Sequence, residues 1–329
     1  MEYTRTTPQT ITQPPTRYNY LNRSFDVTSA KSGGELVTDT GVNGTQESHY
    51  WGGCIFERKT TAFAANATAP STALDMDIDS KPGTSDDSRW KVMIPEIAYA
   101  RAQQVGSKPS TTGTLNVNVG NVKYSNNNPP IPLYMSYQAN WPSGWGVCPA
   151  AAMKLTEFDA DDRTEFDDYI KSLQPVGGTY HDVGMAWGAR LLSPTGLFSD
   201  ENQTADNGRP IDRHIIFMTD GAMSANMGNL TFQGYEYLDQ NVSGSIDTSD
   251  ATLTSLHNNR FAQLCQAARD RNITVWVVAL SVNLNTSLTN CATPGKAYQT
   301  LVKPDGTKVT LKDIFSSIAG QISRLRLSQ

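Results

Sequence analysis

Two short apolar runs constrain this chain more than any other feature: "HIIFMT" at 214–219 and "ITVWVVAL" at 273–280. Neither contains an acid, a lysine or an arginine, so neither shows the alternation of a strand with one wet face. Each is far shorter than the roughly 20 apolar residues a membrane helix needs. Runs of this length read as strands buried on both faces, and such strands belong to parallel sheets covered by helices.

The segments around these runs carry helical periodicity. "AAMKLTEFDADDRTEFDDYIKSL" (151–173) reads as a helix with its acids ahead of a basic end. "GGTYHDVGMAWGARLLSP" reads as a second, starting after Gly-Gly and stopping at Pro194, with Val183, Ala186, Trp187 and Leu191 on one face. "SLHNNRFAQLCQAARDRN" sets Phe261, Leu264, Cys265 and Ala268 on one stripe. "LKDIFSSIAGQISRL" does the same for Leu311, Ile314, Phe315, Ile318, Ile322 and Leu325. Helix, helix, strand, helix, strand, helix is the order of a parallel α/β sheet, and it predicts an α/β domain over 150–329.

Residues 1–149 read differently, as a turn-rich, insertion-like region punctuated by "SAKSGGEL", "SKPGTSDDS" and "SNNNPPIP". Its strand candidates are short: "WKVMI" (90–94) and "TLNVNV" (114–119). With 329 residues the chain has room for two domains. Its hydrophobic content of 38% is low enough to leave room for long polar connections. A net charge of -5 with no Lys/Arg run excludes a nucleic-acid-binding face. The polar start "MEYTRTTPQTITQPPTRYNY" has no apolar core of a signal peptide, and no stretch of 18 apolar residues occurs.

The cysteines, at 54, 148, 265 and 291, are too far apart for a zinc knuckle or a redox CxxC pair. Two disulfides in an oxidising compartment fit an even count in a Ser/Thr/Asn-rich chain, and four buried thiols are the alternative. The preferred pairing is Cys54 with Cys148 and Cys265 with Cys291, one of the three that four cysteines permit. The tryptophans beside Cys54 and Cys148, in "YWGGC" and "NWPSGWGVC", mark the early region as disulfide-pinned with aromatic packing.

Ligands of open α/β sheets sit beyond the carboxyl ends of the strands. Asp220 stands there, directly after "HIIFMT", with Gly221 expected to allow the sharp exit. Thr179 begins the helix that precedes this strand. A hydroxyl and a carboxylate over one strand end are hard oxygen donors of the kind magnesium takes, although that ion wants six oxygens. A second metal signal is "DQNVSGSIDTSD". It sets Asp239, Asn241, Ser243, Ser245, Asp247 and Asp250 at the positions of a calcium loop, with Gly244 at the sixth. Its last position is Asp rather than Glu and no clear helix enters it, so a plain polar loop is the competing reading.

Enzyme motifs are missing: no HExxH, GxSxG or P-loop occurs. The four histidines are 49, 181, 214 and 257. His181 and Asp182 are helix neighbours that point in different directions, so they form no dyad by themselves. His181 reads as a helix-start residue and His214 as a residue satisfying local backbone. "EFDADDRTEFDD" reads as a solvated helix face. The expectation is a non-enzymatic protein with no small-molecule substrate.

The ordered set "GGTYHDVGMAWGARLLSPTGLF", "RPIDRHIIFMTDGAMS" and "LHNNRFAQLCQAARDRNITVWVVAL" resembles the C-terminal part of the von Willebrand factor A domain in TadG-like proteins of bacterial Flp/Tad pilus assembly systems. The resemblance covers about 148–329, and the earlier part more loosely through "GCIFER" and "CPAAAMKL". It implies a Rossmann-like, mostly parallel sheet flanked by helices, with a large irregular disulfide-pinned region on its N-terminal side. It implies an extracytoplasmic (periplasmic or surface) adhesion module that binds a protein partner, such as a pilus or secretion component or a surface ligand. Thr179 and Asp220 match the second and third elements of that family's metal-ion-dependent adhesion site. The first element, Asp-x-Ser-x-Ser after a strand, has only "FDVTSAKS" as a candidate, with Asp26 at its head and Ala30 where a hydroxyl belongs. The first strand of the sheet is therefore expected to be missing, which would leave "HIIFMT" with an unpaired edge. The family's N-terminal membrane anchor is also not visible. The expectation is a C-terminal portion of a longer protein, or a degenerate homologue. The rival function is a calcium-stabilised structural or surface protein that uses the 239–250 loop.

Overall fold

The computed structural model describes residues 17–19, 25–39, 46–94, 114–116, 150–159, 161–173, 178–205, 207–302 and 306–327. Its chain forms two compact units that alternate along the sequence. One comprises Met1–Ala62, Pro82–Gly178 and Asn226–Asp250; the other comprises Phe63–Lys81, Thr179–Ala225 and Ala251–Gln329. The single boundary expected between 149 and 150 is not where these units divide.

The second unit is mixed α/β, a three-stranded parallel sheet flanked by helices. Its main elements are α1 (His181–Leu192), β1 (Arg213–Thr219), α2 (Asp250–Arg269), β2 (Ile273–Ala279), α3 (Thr286–Cys291), β3 (Ala297–Gln299) and α4 (Leu311–Leu327). The strand order is β3-β2-β1, all parallel. β2 is the centre, and Val275 through Ala279 are wholly buried, as the unbroken apolar run requires. Odd-numbered β2 residues face α1 and α2, where Val275 and Val277 join Met185, Ala186, Ala189, Phe261, Leu264 and Ala268 in one core. Even-numbered ones face α4, where Trp276 and Val278 pack with Ile314 and Ile318. Each buried Val, Leu, Ile, Phe or Met among these stabilises the fold by about 1.5–3 kcal/mol. The Trp276 indole N–H, which burial would otherwise strand, donates to His214 Nδ1 at 3.2 Å.

Residues 63–81 join this unit because two buried arginines need acceptors. Arg190 on α1 is 2% exposed and donates to the carbonyls of Asp75 (2.8 Å) and Asp77 (3.2 Å). Arg260 on α2 is fully buried and pairs with the Asp75 carboxylate at 2.9 Å, its guanidinium 4.1 Å from the Phe63 ring centroid. Desolvating a guanidinium is tolerable only when its donors are matched. The early segment supplies acceptors to both arginines, and adds Ile78 to the core.

Several expectations need correction. The helix predicted over 151–173 starts only at Arg163 and ends at Ser172. Asp159 and Asp162 spend their carboxylates on nearby backbone, accepting from Asp161 N and Asp159 N respectively, which holds the chain out of helix until then. No residue of that helix is buried, in keeping with a solvated acidic face. α1 does stop before Pro194, but its buried stripe is Met185, Ala186 and Ala189 with the polar His181, Asp182 and Arg190; Val183, Trp187 and Leu191 are only half-buried. On α4, Phe315 is exposed while Ile314 and Ile318 are buried. β1 is not buried on both faces: Ile216 is 38% and Met218 49% exposed. It is an edge strand whose only strand partner among the described residues is β2, so its α4-side residues lack a neighbour on one flank.

The other unit is built of short antiparallel ribbons. Glu35–Thr38 pairs with Glu47–Tyr50, Ile55–Phe56 with Lys91–Val92, and Arg17–Asn19 with Thr114–Asn116. The last two realise short parts of the strands expected at 90–94 and 114–119. A small cluster of Ala30, Leu36 and Ile94, backed by Phe25, Trp51 and Val92, is its apolar centre. Cys265 and Cys291 form the expected disulfide, tying α2 to the end of α3. Cys54 is also disulfide-bonded; its expected partner Cys148 lies outside the described residues. Among the described residues no helix is long and apolar enough to cross a membrane.

Candidate functional site

The carboxyl end of β1 is held by contacts from two directions. Thr179, just ahead of α1, forms an isolated antiparallel bridge with Ser224, beyond the strand end. Thr179 N donates to Ser224 O at 3.0 Å and Ser224 N returns the bond to Thr179 O at 2.9 Å. The two loops are thus stitched together, and the Thr179 hydroxyl faces Gly221: a Cβ built on that glycine would lie 3.8 Å from Thr179 Oγ1. Gly221 itself does not use left-handed backbone, so the exit from the strand does not depend on glycine as expected. Asp220 stands exposed beside it. Of the two residues singled out in the sequence, Thr179 thus lies against Ser224 and Gly221, and Asp220 is the exposed neighbour of Gly221.

The first turn of α1 locks the frame beneath these loops. His181 Nε2 lies 3.1 Å from Thr219 Oγ1. That hydroxyl donates to Gly221 O and accepts from Gly221 N, so His181 supplies the other proton and carries it on Nε2. Its ring packs in a triangle with those of Phe217 and Phe261, with centroids 5.4 and 5.3 Å away. Burial pushes the His181 pKa below its ordinary value, against weaker raising effects from Asp182 and the Gly221 backbone. Asp182 points the other way, and the Nδ1–H of His257 donates to its Oδ2 at 2.7 Å. The two neighbours on α1 diverge, as helix geometry demands.

Sequence reasoning missed Ser224 and the Asp182–His257 pair. A lone serine in a loop carries no signal, and 75 residues separate the two members of the pair. His214 does not satisfy local backbone as expected but accepts from Trp276 across the sheet. His49 lies buried in the Glu47–Tyr50 strand of the other unit.

This strand end supplies only part of a magnesium shell. It offers one carboxylate and hydroxyl groups, and among the described residues no group of three or more His, Cys, Asp or Glu side chains is placed to hold a metal. Magnesium takes six oxygens, usually several of them waters, and is bound through one or two carboxylates. Asp26, the nearest candidate for the missing first element, accepts from Thr28 N at 2.9 Å at the head of the short helix Thr28–Lys31. Its side-chain and backbone bonds with Thr28 hold its carboxyl below the usual range.

The 239–250 loop is closed by its own bonds. Gly244, at the sixth position, does adopt left-handed backbone, with φ +64°. The buried Glu236 carboxylate accepts from Val242 N and Ser243 N, a role the loop pattern did not reveal. Asn241 Nδ2 donates to Gln233 O, Ser243 O accepts from Thr248 Oγ1, and Ser245 Oγ accepts from Asp247 N. Asp250, the expected terminal ligand, uses one oxygen on Asn226 Nδ2 (2.7 Å) and the other on Met227 N (2.9 Å). Asp239, Asp247 and Asp250 are therefore not gathered around one point.

No family model matches the chain, and no curated protein or solved structure does either.

Proposed function

We propose that the chain is a non-enzymatic protein-binding module whose recognition surface is the pair of loops carrying Thr179, Asp220 and Ser224. The observation that carries this reading is the Thr179–Ser224 bridge, which brings a hydroxyl-bearing loop and an acid-bearing loop together at the carboxyl end of a parallel strand. That is where open α/β sheets bind their ligands. The underpinning is rigid: His181 bonds to the strand end and Asp182 to α2, so the loops meet a partner with little left to order.

In this reading the fold is a von Willebrand factor A-type domain without its first strand, and the setting is the TadG-like branch of the Tad (Flp) pilus systems that the sequence resembles. The partner is a pilus or secretion component, and the compartment is extracytoplasmic. The buried Cys265–Cys291 disulfide supports an oxidising compartment. Because the donors do not complete a magnesium site, recognition runs through the chain's own groups: the exposed Asp220 carboxylate and the Thr179 hydroxyl pair with donors on the partner. No comparable observation favours the calcium-stabilised alternative.

Co-sedimentation of the full chain with purified Tad-type pili tests this. The expected result is binding that Asp220→Ala and Thr179→Val each weaken at least tenfold, with the melting temperature unchanged. Failure of the unaltered chain to pellet with the fibres, or equal pelleting of the Asp220→Ala variant, overturns the reading.

A further inference from the structure

The outer edge of β1 is the most unusual surface in the sheet-bearing unit. The strand is seven residues long and, among the described residues, hydrogen-bonds only to β2. Thr219 O accepts from Leu280 N, on the β2 side. In a parallel pair the backbone groups alternate in direction, so residues 213, 215, 217 and 219 turn theirs toward β2. His214, Ile216 and Met218 turn theirs outward. On the same residues the side chains of Ile216 and Met218 are 38% and 49% exposed, although Trp276 and Val278 beside them in the register are completely buried. A long edge with free backbone groups and exposed apolar side chains is a template for another strand.

We propose that this edge pairs with the same edge of a second copy of the chain, antiparallel, about a two-fold axis at Phe217. The join makes one continuous six-stranded sheet from two three-stranded ones. The strand's own sequence selects this partner and this register. Residues opposite each other in an antiparallel pair share a face, so the two residue numbers must sum to an even value. Centring on Phe217 sets Ile216 opposite Met218 of the second copy, twice over, and covers the exposed apolar pair with itself. It also sets His214 opposite Asp220 of the second copy. Centring instead on Ile216 would set Asp212 against Asp220, two acids face to face, which is destabilising. The outward-turned residues 214, 216, 218 and 220 are the ones that exchange backbone bonds in the favoured register. The edge is thus complementary to itself in shape and polarity, in a register that keeps its acids apart. The two readings share Asp220, which lies at the end of this seam, but failure of the pairing leaves the pilus-binding reading untouched.

Sedimentation velocity of the full chain over a wide concentration range reads the association directly. The expected result is a concentration-dependent dimer, and its complete loss in Ile216→Lys, where a charge on the exposed edge blocks pairing. Circular dichroism should show that variant folded, because residue 216 is already exposed. Register is read by disulfide trapping, since the described cysteines are all bonded already. Directly opposed residues that exchange backbone bonds have Cα atoms about 5.5 Å apart, within disulfide range. Mixing Ile216→Cys with Met218→Cys chains should therefore give a cross-linked heterodimer under mild oxidation, while neither variant alone cross-links. A chain that stays monomeric at every concentration, a dimer that survives Ile216→Lys, or cross-linking of Ile216→Cys with itself each overturns the proposal.

Discussion

His257 on α2 donates a hydrogen bond 2.7 Å long to Asp182 on α1, with both side chains 1% exposed. The Tyr180 ring meets the His257 ring edge-on at 5.0 Å, so the pair has aromatic cover as well. Nothing else described here ties the first turn of α1 to α2 so directly. Asp182→Ala leaves a buried imidazole N–H without its acceptor, and a buried donor left unsatisfied costs about 1–3 kcal/mol. Urea unfolding of the full chain should show that loss. A change below about 1 kcal/mol, within the range of ordinary surface substitutions and solvated pairs, would show that the pair is not a structural tie.

His181 makes stability depend on pH in one direction. Its folded pKa lies below the ordinary 6.5, chiefly because burial disfavours the charged ring. Between those two values the unfolded chain binds a proton that the folded chain does not. Stability from this residue is therefore complete above about pH 6.5 and falls as the pH drops toward the folded pKa. Melting temperatures measured from neutral to mildly acid pH should fall less steeply in His181→Gln than in the unaltered chain. Parallel curves would assign the acid sensitivity to other groups.

Arg190→Met should release the segment around Leu74–Asp77 without unfolding the sheet. The guanidinium is the donor for the Asp75 and Asp77 carbonyls, and each buried acceptor left unmatched costs about 1–3 kcal/mol. Limited proteolysis should then cut within 70–80 first. Unchanged cleavage there would mean that Ile78 and Asp75 suffice to hold the segment.

Calcium should not raise the melting temperature of the full chain. Both Asp250 oxygens already accept N–H donors from Asn226 and Met227, and Glu236 takes the loop amides a metal site would organise. A calcium-dependent rise that Asp239→Ala abolishes would restore the calcium-loop reading.

How far the fold could be seen in the sequence differed by residue. β2 was legible because seven consecutive residues have nowhere to go but a sheet interior. β1 has a similar composition, yet its open flank was invisible in it: Ile216 and Ile215 are the same residue type with opposite fates. Whether an apolar residue is covered depends on the neighbouring strand, and no local window contains that strand. The helix before residue 173 was overextended because hydrophobic period says nothing about Asp159 and Asp162 competing for backbone. At the site, Thr179 and Asp220 stood out through their positions at helix start and strand end. Ser224 and His257 did not, because each acts only through a contact made across the fold.

The Cys265–Cys291 bond has a mechanical meaning. It joins positions 26 residues apart, and the chain between them includes the whole of β2. If the chain is pulled by its two ends, tension crosses from α2 to α3 through the sulfurs and bypasses the central strand. Roughly 90 Å of contour, 26 residues at about 3.5 Å each, stays locked in the ring however far the rest is drawn out. Under load the flanking strands and α4 can be peeled away while β2 carries no force.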